Sequence, residues 1–202
     1  MRYIELNDKA KRRALDWWQQ DSDWNYEFTI DNAKENAPKG FSIGDIYFGG
    51  FWSQGDGCAW KGICRLDDWL DARTPTDEKL QHKYFVVREL MRNDWLDDRI
   101  YITYKVGWRM SATDFGGVYT PNEDSVIQTG VLKGASVAAL LEGGAEALLD
   151  ELIEAIVADA QAYADKIYED LEADYEHHIS EENFAEIADA NNWEFDEDGV
   201  LL

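Results

Sequence analysis

The chain has 202 residues, of which 45% are hydrophobic, and its formal net charge is −23. This length fits one domain, or one domain with a helical appendage, and the apolar content excludes disorder along most of the chain. So strong a negative charge repels nucleic acid and anionic lipid and attracts basic proteins. We therefore expect a partner with a basic surface, and no direct contact with nucleic acid or a membrane.

The N-terminal sequence lacks the apolar core and the small-residue cleavage site of a signal peptide. No window holds the ~18 to 20 apolar residues that a membrane span needs. Cys58 and Cys64 fall within one predicted strand, where their spacing places the two sulfurs ~20 Å apart. That distance is too long for a disulfide. We expect free thiols and a cytoplasmic protein.

The first predicted element is a helix that Asn7 or Asp8 can cap and that extends to about Gln20. Its apolar side consists of Ala10, Ala14, Trp17 and Trp18. Its early bases form the densest positive patch of the chain: Lys9, Lys11, Arg12 and Arg13. This patch could contact a phosphate backbone or pair with the acidic C-terminal third, and we favour the pairing. The next segment, Tyr26–Ala37, alternates like a strand at its start and fits a short helix at its end.

Two alternating segments, Ser42–Trp52 and Cys58–Leu66, predict a β-hairpin with five loop residues, Ser53–Gly57. The glycines inside its strands indicate close backbone approach or bulges. The loop places a Gly-x-Gly sequence around Asp56, but it has no basic residue and no helix follows it. Turn chemistry is therefore favoured over a phosphate or metal site.

Further elements follow in the middle of the chain. Asp67–Ala72 fits one helical turn, and Thr76 can cap a helix to about Trp95, whose predicted buried side is Leu80, Tyr84, Val87, Leu90 and Met91. A third strand is predicted over Arg99–Val106, with Ile100, Ile102, Tyr104 and Val106 on one face. Gly107 allows a turn into Trp108–Ser111, Asp114–Gly117 is predicted as loop, and Ser125–Leu132 fits a fourth strand.

The last third concentrates the charge. From Glu142 to the C-terminus there are 20 acidic residues and one basic residue, Lys166, whereas residues 1–141 hold 22 acidic and 18 basic residues. Apolar residues in this third recur every three or four positions, which predicts a helix from about Ala145 to His178 that is ~50 Å long. The predicted apolar stripe is Leu149, Leu152, Ile156, Ala160, Tyr163, Ile167 and Leu171. Ser180 caps a short helix over Glu181–Ala190, and Trp193–Leu202 is a small extended segment.

The order of elements predicts an α+β fold: an antiparallel sheet of about four strands in two hairpins, packed with helices, plus a long acidic C-terminal helix. We divide the chain into an α+β core, residues 1–141, and an acidic helical segment, residues 142–202, that packs on the core as part of the same domain.

The acidic face of the long helix has two interpretations. It is either a solvated surface that keeps the protein soluble, or a rigid row of carboxylates that imitates a phosphate backbone. For the second interpretation the candidate partner-binding residues are Asp150, Glu151, Glu154, Asp165, Glu169, Glu172 and Glu176. A different use of the helix is self-association, since Tyr163, Tyr168 and Tyr175 widen its apolar stripe.

The segment Asp45–Trp60 contains the run Phe48-Gly49-Gly50-Phe51-Trp52-Ser53-Gln54-Gly55-Asp56-Gly57, which resembles a hairpin motif of an uncharacterised group of phage- and prophage-encoded proteins of about this size. Asp31–Glu35 and Asn192–Gly199 are similar to that group too. Gly49 stands where a small Ser is expected, and the motif is structural, so it implies no catalytic residue. The resemblance implies a phage gene product, favours helix over Tyr26–Ala37, and raises the expectation of interference with host machinery in the bacterial cytoplasm.

Candidate catalytic chemistry is sparse. The sequence has no Ser-His-Asp order, Cys-His pairing, P-loop or His-Glu-x-x-His motif. His82 fits a surface or boundary position of the second helix, and His177-His178 fit a helix end that the dipole favours. We therefore expect no enzyme, no metal and no cofactor. The sequence favours a phage-encoded acidic inhibitor of a basic nucleic-acid-handling host protein, of the anti-CRISPR or antirestriction type. The alternative is a non-enzymatic assembly or housekeeping protein that forms a homodimer through its long helix.

Overall fold

The computed structural model describes residues 1–73, 78–92, 98–115 and 145–202. Within these ranges the chain has the predicted α+β fold, a four-stranded antiparallel sheet accompanied by helices. A single turn of 3-10 helix, Tyr3–Glu5, comes first. The helices are α1 (Asp8–Asp21), α2 (Glu27–Glu35), α3 (Leu66–Ala72), α4 (Glu78–Arg92), α5 (Ala145–His178) and α6 (Glu181–Ala190), and the strands are β1 (Phe41–Phe48), β2 (Cys58–Arg65), β3 (Arg99–Lys105) and β4 (Arg109–Phe115).

Two compact units can be distinguished. The terminal unit consists of Met1–Asn32 and Glu169–Leu202, and the central unit consists of Ala33–Tyr168. The acidic segment expected to begin at residue 142 therefore contributes to both units through α5. Across the described helices, none combines the length and the apolarity that crossing a bilayer requires.

The sheet of the central unit has the strand order β1-β2-β3-β4. Phe41 lies opposite Cys64, and Cys64 lies opposite Ile100, so one row of buried side chains crosses three strands. Aromatic and β-branched residues favour strands because their side chains pack well against neighbours on a buried sheet face, and this row forms such a face. The two cysteines are free, as predicted. Both are buried, and burial raises the pKa of both Cys58 and Cys64 to about 12.

Helix α5 packs on this sheet in the central unit. The predicted stripe is buried at Leu152, Ile156, Ala160, Tyr163 and Ile167, which confirms the 3.6-residue period. Trp60 of β2 donates an indole hydrogen bond of 3.2 Å to the Ala160 carbonyl, and the Met110 amide of β4 donates one of 2.9 Å to the Gln161 side chain. These bonds fix the rotation of α5, and with it the face that reaches solvent.

The first hairpin turns earlier than predicted. Strand β1 ends at Phe48 instead of continuing to Trp52, whose side chain is 76% exposed. The cause is Asp56, whose carboxylate accepts hydrogen bonds from the backbone amides of Trp52 and Ser53 at 2.8 and 2.6 Å. The Ser53 hydrogen bonds hold the pKa of Asp56 below its usual value. Because the Asp56 carboxylate accepts hydrogen bonds from amides of its own loop, the Gly-x-Gly sequence has a structural role in the turn.

The second hairpin corrects two predictions. Val106 was predicted to continue the third strand on the face of Ile100 and Ile102. Its side chain is instead 99% exposed, because β3 ends at Lys105 and the chain turns through Gly107 and Trp108, both with positive φ. Asp114 and Phe115 belong to β4 and not to a loop, because Phe115 pairs with Ile100 of β3 across a bulge. The strand predicted over Ser125–Leu132 lies outside the described residues, as do the proposed helix limits Thr76 and Trp95.

The terminal unit has its own aromatic core. Asn7 caps α1 by accepting from the amides of Lys9 and Ala10, and Ser180 caps α6, as predicted. Tyr3 meets Phe184 edge to face at 4.8 Å, and Phe195 also packs against Tyr3. The segment Tyr26–Ala37, which was ambiguous, contains α2. Phe195 pairs with Leu201 in the small extended segment at the end of the chain.

Gly62 in β2 provides a stability test of the first hairpin. A Cβ atom at this position would lie 2.2 Å from the Ser42 carbonyl oxygen, which belongs to the paired strand and cannot rotate away. We expect Gly62→Ala to lower the free energy of unfolding by about 2 kcal/mol or more, as overpacking does. Urea denaturation measures the change.

Gly44→Ala is the matched control in the partner strand. Its added Cβ would meet the nearest atom, the Lys61 carbonyl oxygen, at 3.4 Å, an ordinary contact. A Gly62→Ala variant as stable as Gly44→Ala would show that β1 and β2 do not approach as described.

Candidate interaction surface

The predicted row of carboxylates lies on α5 opposite its buried stripe. A step of 100° per residue brings Glu151, Glu154, Asp165, Glu169, Glu172 and Glu176 to one side of this helix. The row is not uniform, because its members belong to two units and have different neighbours in each.

In the central unit, the acids of the row are exposed but partly neutralised. Four exposed acids lie here: Glu151, Glu154 and Asp165 of the row, and Asp150 at its flank. Glu151 forms an ion pair with Lys83 of α4. Asp165 accepts a 2.9 Å hydrogen bond from the Gln161 amide one turn earlier. Lys83 therefore neutralises one charge of the row, that of Glu151, near the start of α5.

The middle of α5 interrupts the row. Between Glu154 and Asp165 the outward positions are Ala158 and Ala162, both exposed. Asp159 is half-buried at the flank, where it pairs with Arg73 and accepts a 2.9 Å hydrogen bond from the Trp69 indole. Over this stretch the helix presents no carboxylate comparable to a phosphate.

In the terminal unit, the row is denser. Glu169 and Glu176 are exposed and Glu172 is half-buried. Their spacing of three and four residues separates them along the axis by ~4.5 and ~6 Å. Among the described residues, none of the three forms an ion pair with a basic side chain. Their negative charge is therefore retained.

Helix α6 adds acids that were not among the predicted site residues. Glu182, Glu186 and Asp189 are exposed and share one face, opposite the buried Phe184 and Ala188. The spacing Glu-x-x-x-Glu-x-x-Asp around an apolar pair was the signal that could have found this second face. These three acids contributed to the prediction only through the total charge of the C-terminal third.

The charge of the terminal unit is extreme. Its 66 residues hold 20 acidic and 5 basic residues, a net charge of −15, and all five bases lie in Met1–Asn32. The positive patch of α1 was predicted to pair with the acidic third. Arg13 lies close enough to help hold the pKa of Asp196 below its usual value, after the hydrogen bonds from Val200 and Asp198. Lys11 instead lies over the Tyr3 ring at 5.7 Å, and no ion pair joins these bases to a carboxylate in the described part of this unit.

The histidine pair at the end of α5 has unequal environments. His177 is exposed, whereas the His178 ring lies 2.9 Å from the Ser22 hydroxyl and 5.0 Å from the Trp18 ring. This distance suits a nucleophile and its base. However, the Asp174 carboxylate accepts a 3.0 Å hydrogen bond from the Trp24 indole, and no hydrogen bond joins it to the His178 ring in the described unit. The group that would orient the base is engaged elsewhere, so we assign the Ser22–His178 contact a structural role.

Metal-binding geometry is not found in the described ranges, where no three His, Cys, Asp or Glu side chains converge. His82, predicted on a helix surface, belongs to α4. Comparison with known protein families, curated proteins and solved structures found no match.

His178 provides a pH test of the terminal unit. Burial lowers the pKa of His178 below its ordinary value of 6.5, partly opposed by the charge of Asp174. In the unfolded chain the ring takes up a proton as pH falls through about 6.5, whereas the folded ring stays neutral until the lower folded pKa is passed. Stability should therefore decrease as pH falls from about 7 through this window.

The measurement is urea denaturation between pH 5 and 8 of the wild type, His178→Gln and His177→Gln. His178→Gln should flatten the loss of stability below about pH 6.5, while the exposed His177→Gln should follow the wild type. Equal pH dependence for the wild type and His178→Gln would contradict the burial of this ring.

Proposed function

We propose that this chain is a phage-encoded acidic inhibitor that binds a basic, nucleic-acid-handling host protein and competes with its nucleic acid. The host proteins that fit are CRISPR effectors and restriction enzymes. The observation that carries the proposal is the terminal unit, where Glu169–Leu202 holds 13 acidic residues and no Lys or Arg, and nine of these acids lie on helices α5 and α6. The phage origin is part of the proposal and derives from the resemblance of the Phe48–Gly57 hairpin.

Charge density favours the terminal unit as the binding surface. Glu169–Glu176 contains five acidic residues within eight. At 1.5 Å per residue this is one charge per ~2.4 Å of axis, against ~1.7 Å in duplex DNA. Over the whole of α5, 11 acidic residues in 34 give only one charge per ~4.6 Å. The terminal unit thus approaches the density of a nucleic acid, whereas the whole helix does not.

A second acidic face strengthens this choice. Glu182, Glu186 and Asp189 add three exposed charges on a helix with no basic residue. A groove that binds a duplex meets two strands of phosphates, so a mimic benefits from more than one line of charge. Such a surface also speeds the encounter with a basic partner, and this effect weakens as salt rises.

The alternative, self-association through α5, loses the feature that suggested it. The Tyr163 hydroxyl donates a 2.7 Å hydrogen bond to the Ala33 carbonyl, and the Tyr168 hydroxyl donates one of 2.8 Å to the Gly50 carbonyl. The Tyr175 ring packs edge-on against Trp24 at 5.2 Å. All three tyrosines are thus engaged within their own units, so we do not adopt self-association as a second function.

The test compares two variants that remove the same number of charges. The first changes four acids of the terminal unit: Glu169→Gln, Glu176→Gln, Glu182→Gln and Glu186→Gln. The matched control changes four exposed acids of the central unit: Asp150→Asn, Glu151→Gln, Glu154→Gln and Asp165→Asn. Each is added to a panel of CRISPR effectors and restriction enzymes, and DNA binding and cleavage are measured at several salt concentrations.

We expect the wild type to inhibit at least one enzyme of the panel by displacing its DNA, with inhibition that weakens as salt rises. If each exposed charge contributes about 0.5 kcal/mol, the terminal-unit variant should inhibit at least about tenfold less well. The control should stay within about threefold of the wild type. Inhibition unaffected by salt and by the terminal-unit variant would refute the proposal. A larger loss in the control would move the binding surface to the central unit.

A further inference from the structure

The central unit contains a depression of about 480 Å³ whose charge is opposite to that of the whole chain. Three bases line it, Lys39, Arg73 and Lys166, against one carboxylate, Asp159. Lys166 is also the single basic residue of the last 61.

Arg73 is held in place by the fold. Its guanidinium lies over the Trp69 ring at 3.7 Å, and Trp69 itself is 1% exposed. Asp159 pairs with Arg73 and is fixed by the 2.9 Å hydrogen bond from the Trp69 indole. A guanidinium has five N–H donors, so donors remain after one carboxylate oxygen is bound. A planar arginine that is already oriented binds phosphate with little loss of side-chain freedom.

Lys39 is readily released to a ligand. Its ammonium lies 3.7 Å from the Asp71 carboxylate, and the Lys39 side chain is 55% exposed. Asp71 already pairs with Arg88, which with Lys39 holds its pKa below the usual value. An exposed ion pair of this length contributes little to stability, so a ligand phosphate can readily replace Asp71 as the partner of Lys39.

The depression also has an aromatic lining. Phe41 and Tyr163 contribute to its walls, and both side chains are fixed. The Phe41 ring packs edge-on against Trp60 at 5.3 Å, and the Tyr163 hydroxyl donates to the Ala33 carbonyl. Small-molecule sites typically have volumes of ~300 to 1,000 Å³ with apolar walls and a few convergent polar groups. Both the volume and the lining agree with that description.

We propose that this depression binds a small organic phosphate, with the phosphate on Arg73, Lys39 and Lys166 and the organic part against Phe41 and Tyr163. Lys39, Arg73 and Lys166 together carry three positive charges, which suit the roughly two negative charges of a phosphate monoester. A nucleoside monophosphate matches the depression in charge and in having a flat ring. The site does not depend on the inhibitor function, since it uses none of the acids of the terminal unit.

The experiment is isothermal titration calorimetry of the full chain at low salt with four probes: adenosine monophosphate, uridine monophosphate, adenosine and inorganic phosphate. At least one nucleotide should bind at least about tenfold more tightly than adenosine or phosphate alone, because both parts of the site are then used. Inorganic phosphate that binds as tightly as both nucleotides would refute an organic ligand. Absence of saturable binding of either nucleotide at millimolar concentration would refute the site.

Two variants test whether the ligand binds in the depression. Lys39→Gln and Lys166→Gln should each weaken nucleotide binding about threefold or more, as the loss of one exposed charge contact does. The matched control is Lys105→Gln, which removes an exposed lysine at the end of β3, outside the depression. Equal weakening by all three variants would show only a general effect of charge and would refute the assignment. Unfolding curves of each variant confirm that the fold is intact.

Discussion

The burial of one stripe of α5 is the constraint on which the other features depend. Ile156, Ala160 and Ile167 are excluded from solvent, and the Trp60 indole fixes the rotation of the helix through the Ala160 carbonyl. Once that rotation is set, a period of 3.6 residues decides which carboxylates face outward. It also brings Asp159 to the flank, beside Arg73 and Trp69. One packing contact thus positions both the central-unit members of the acidic row and one wall of the basic depression.

Sequence reasoning succeeded where a local period decides the structure. The 34-residue helix α5, the capping of α1 by Asn7 and the capping of α6 by Ser180 follow from residues near in sequence. It failed where a distant partner decides. Asp114 and Phe115 have the composition of a turn, but pairing with β3 draws them into a strand. Trp52 continues an alternating pattern, but the Asp56 carboxylate turns the chain first.

In the candidate surface, too, local periodicity could be predicted from the sequence and contacts between distant residues could not. Periodicity predicted which side of α5 is acidic, but it could not predict that Lys83 neutralises Glu151, because that pair joins residues 68 positions apart. Nor could composition show that Arg73 is held over Trp69. Lys166 looked like an exception within an acidic segment, and only the fold places it beside Lys39 and Arg73. The positions of isolated charges are therefore the part of a site that sequence predicts least well.

The carboxylates of the two units differ in how often a cation binds them. In the central unit, Asp71 pairs with Arg88 and Glu151 with Lys83, although Asp56 and Asp165 accept hydrogen bonds from neutral donors. In the terminal unit, Asp174 accepts from the neutral Trp24 indole, and Asp196 accepts from the backbone amides of Asp198 and Val200. A cation cancels the field of a carboxylate at a distance, whereas a neutral donor stabilises the charged form and leaves its net charge intact. A surface held by neutral donors is therefore both ordered and strongly negative. An acidic surface would need both properties to bind a basic groove in place of nucleic acid.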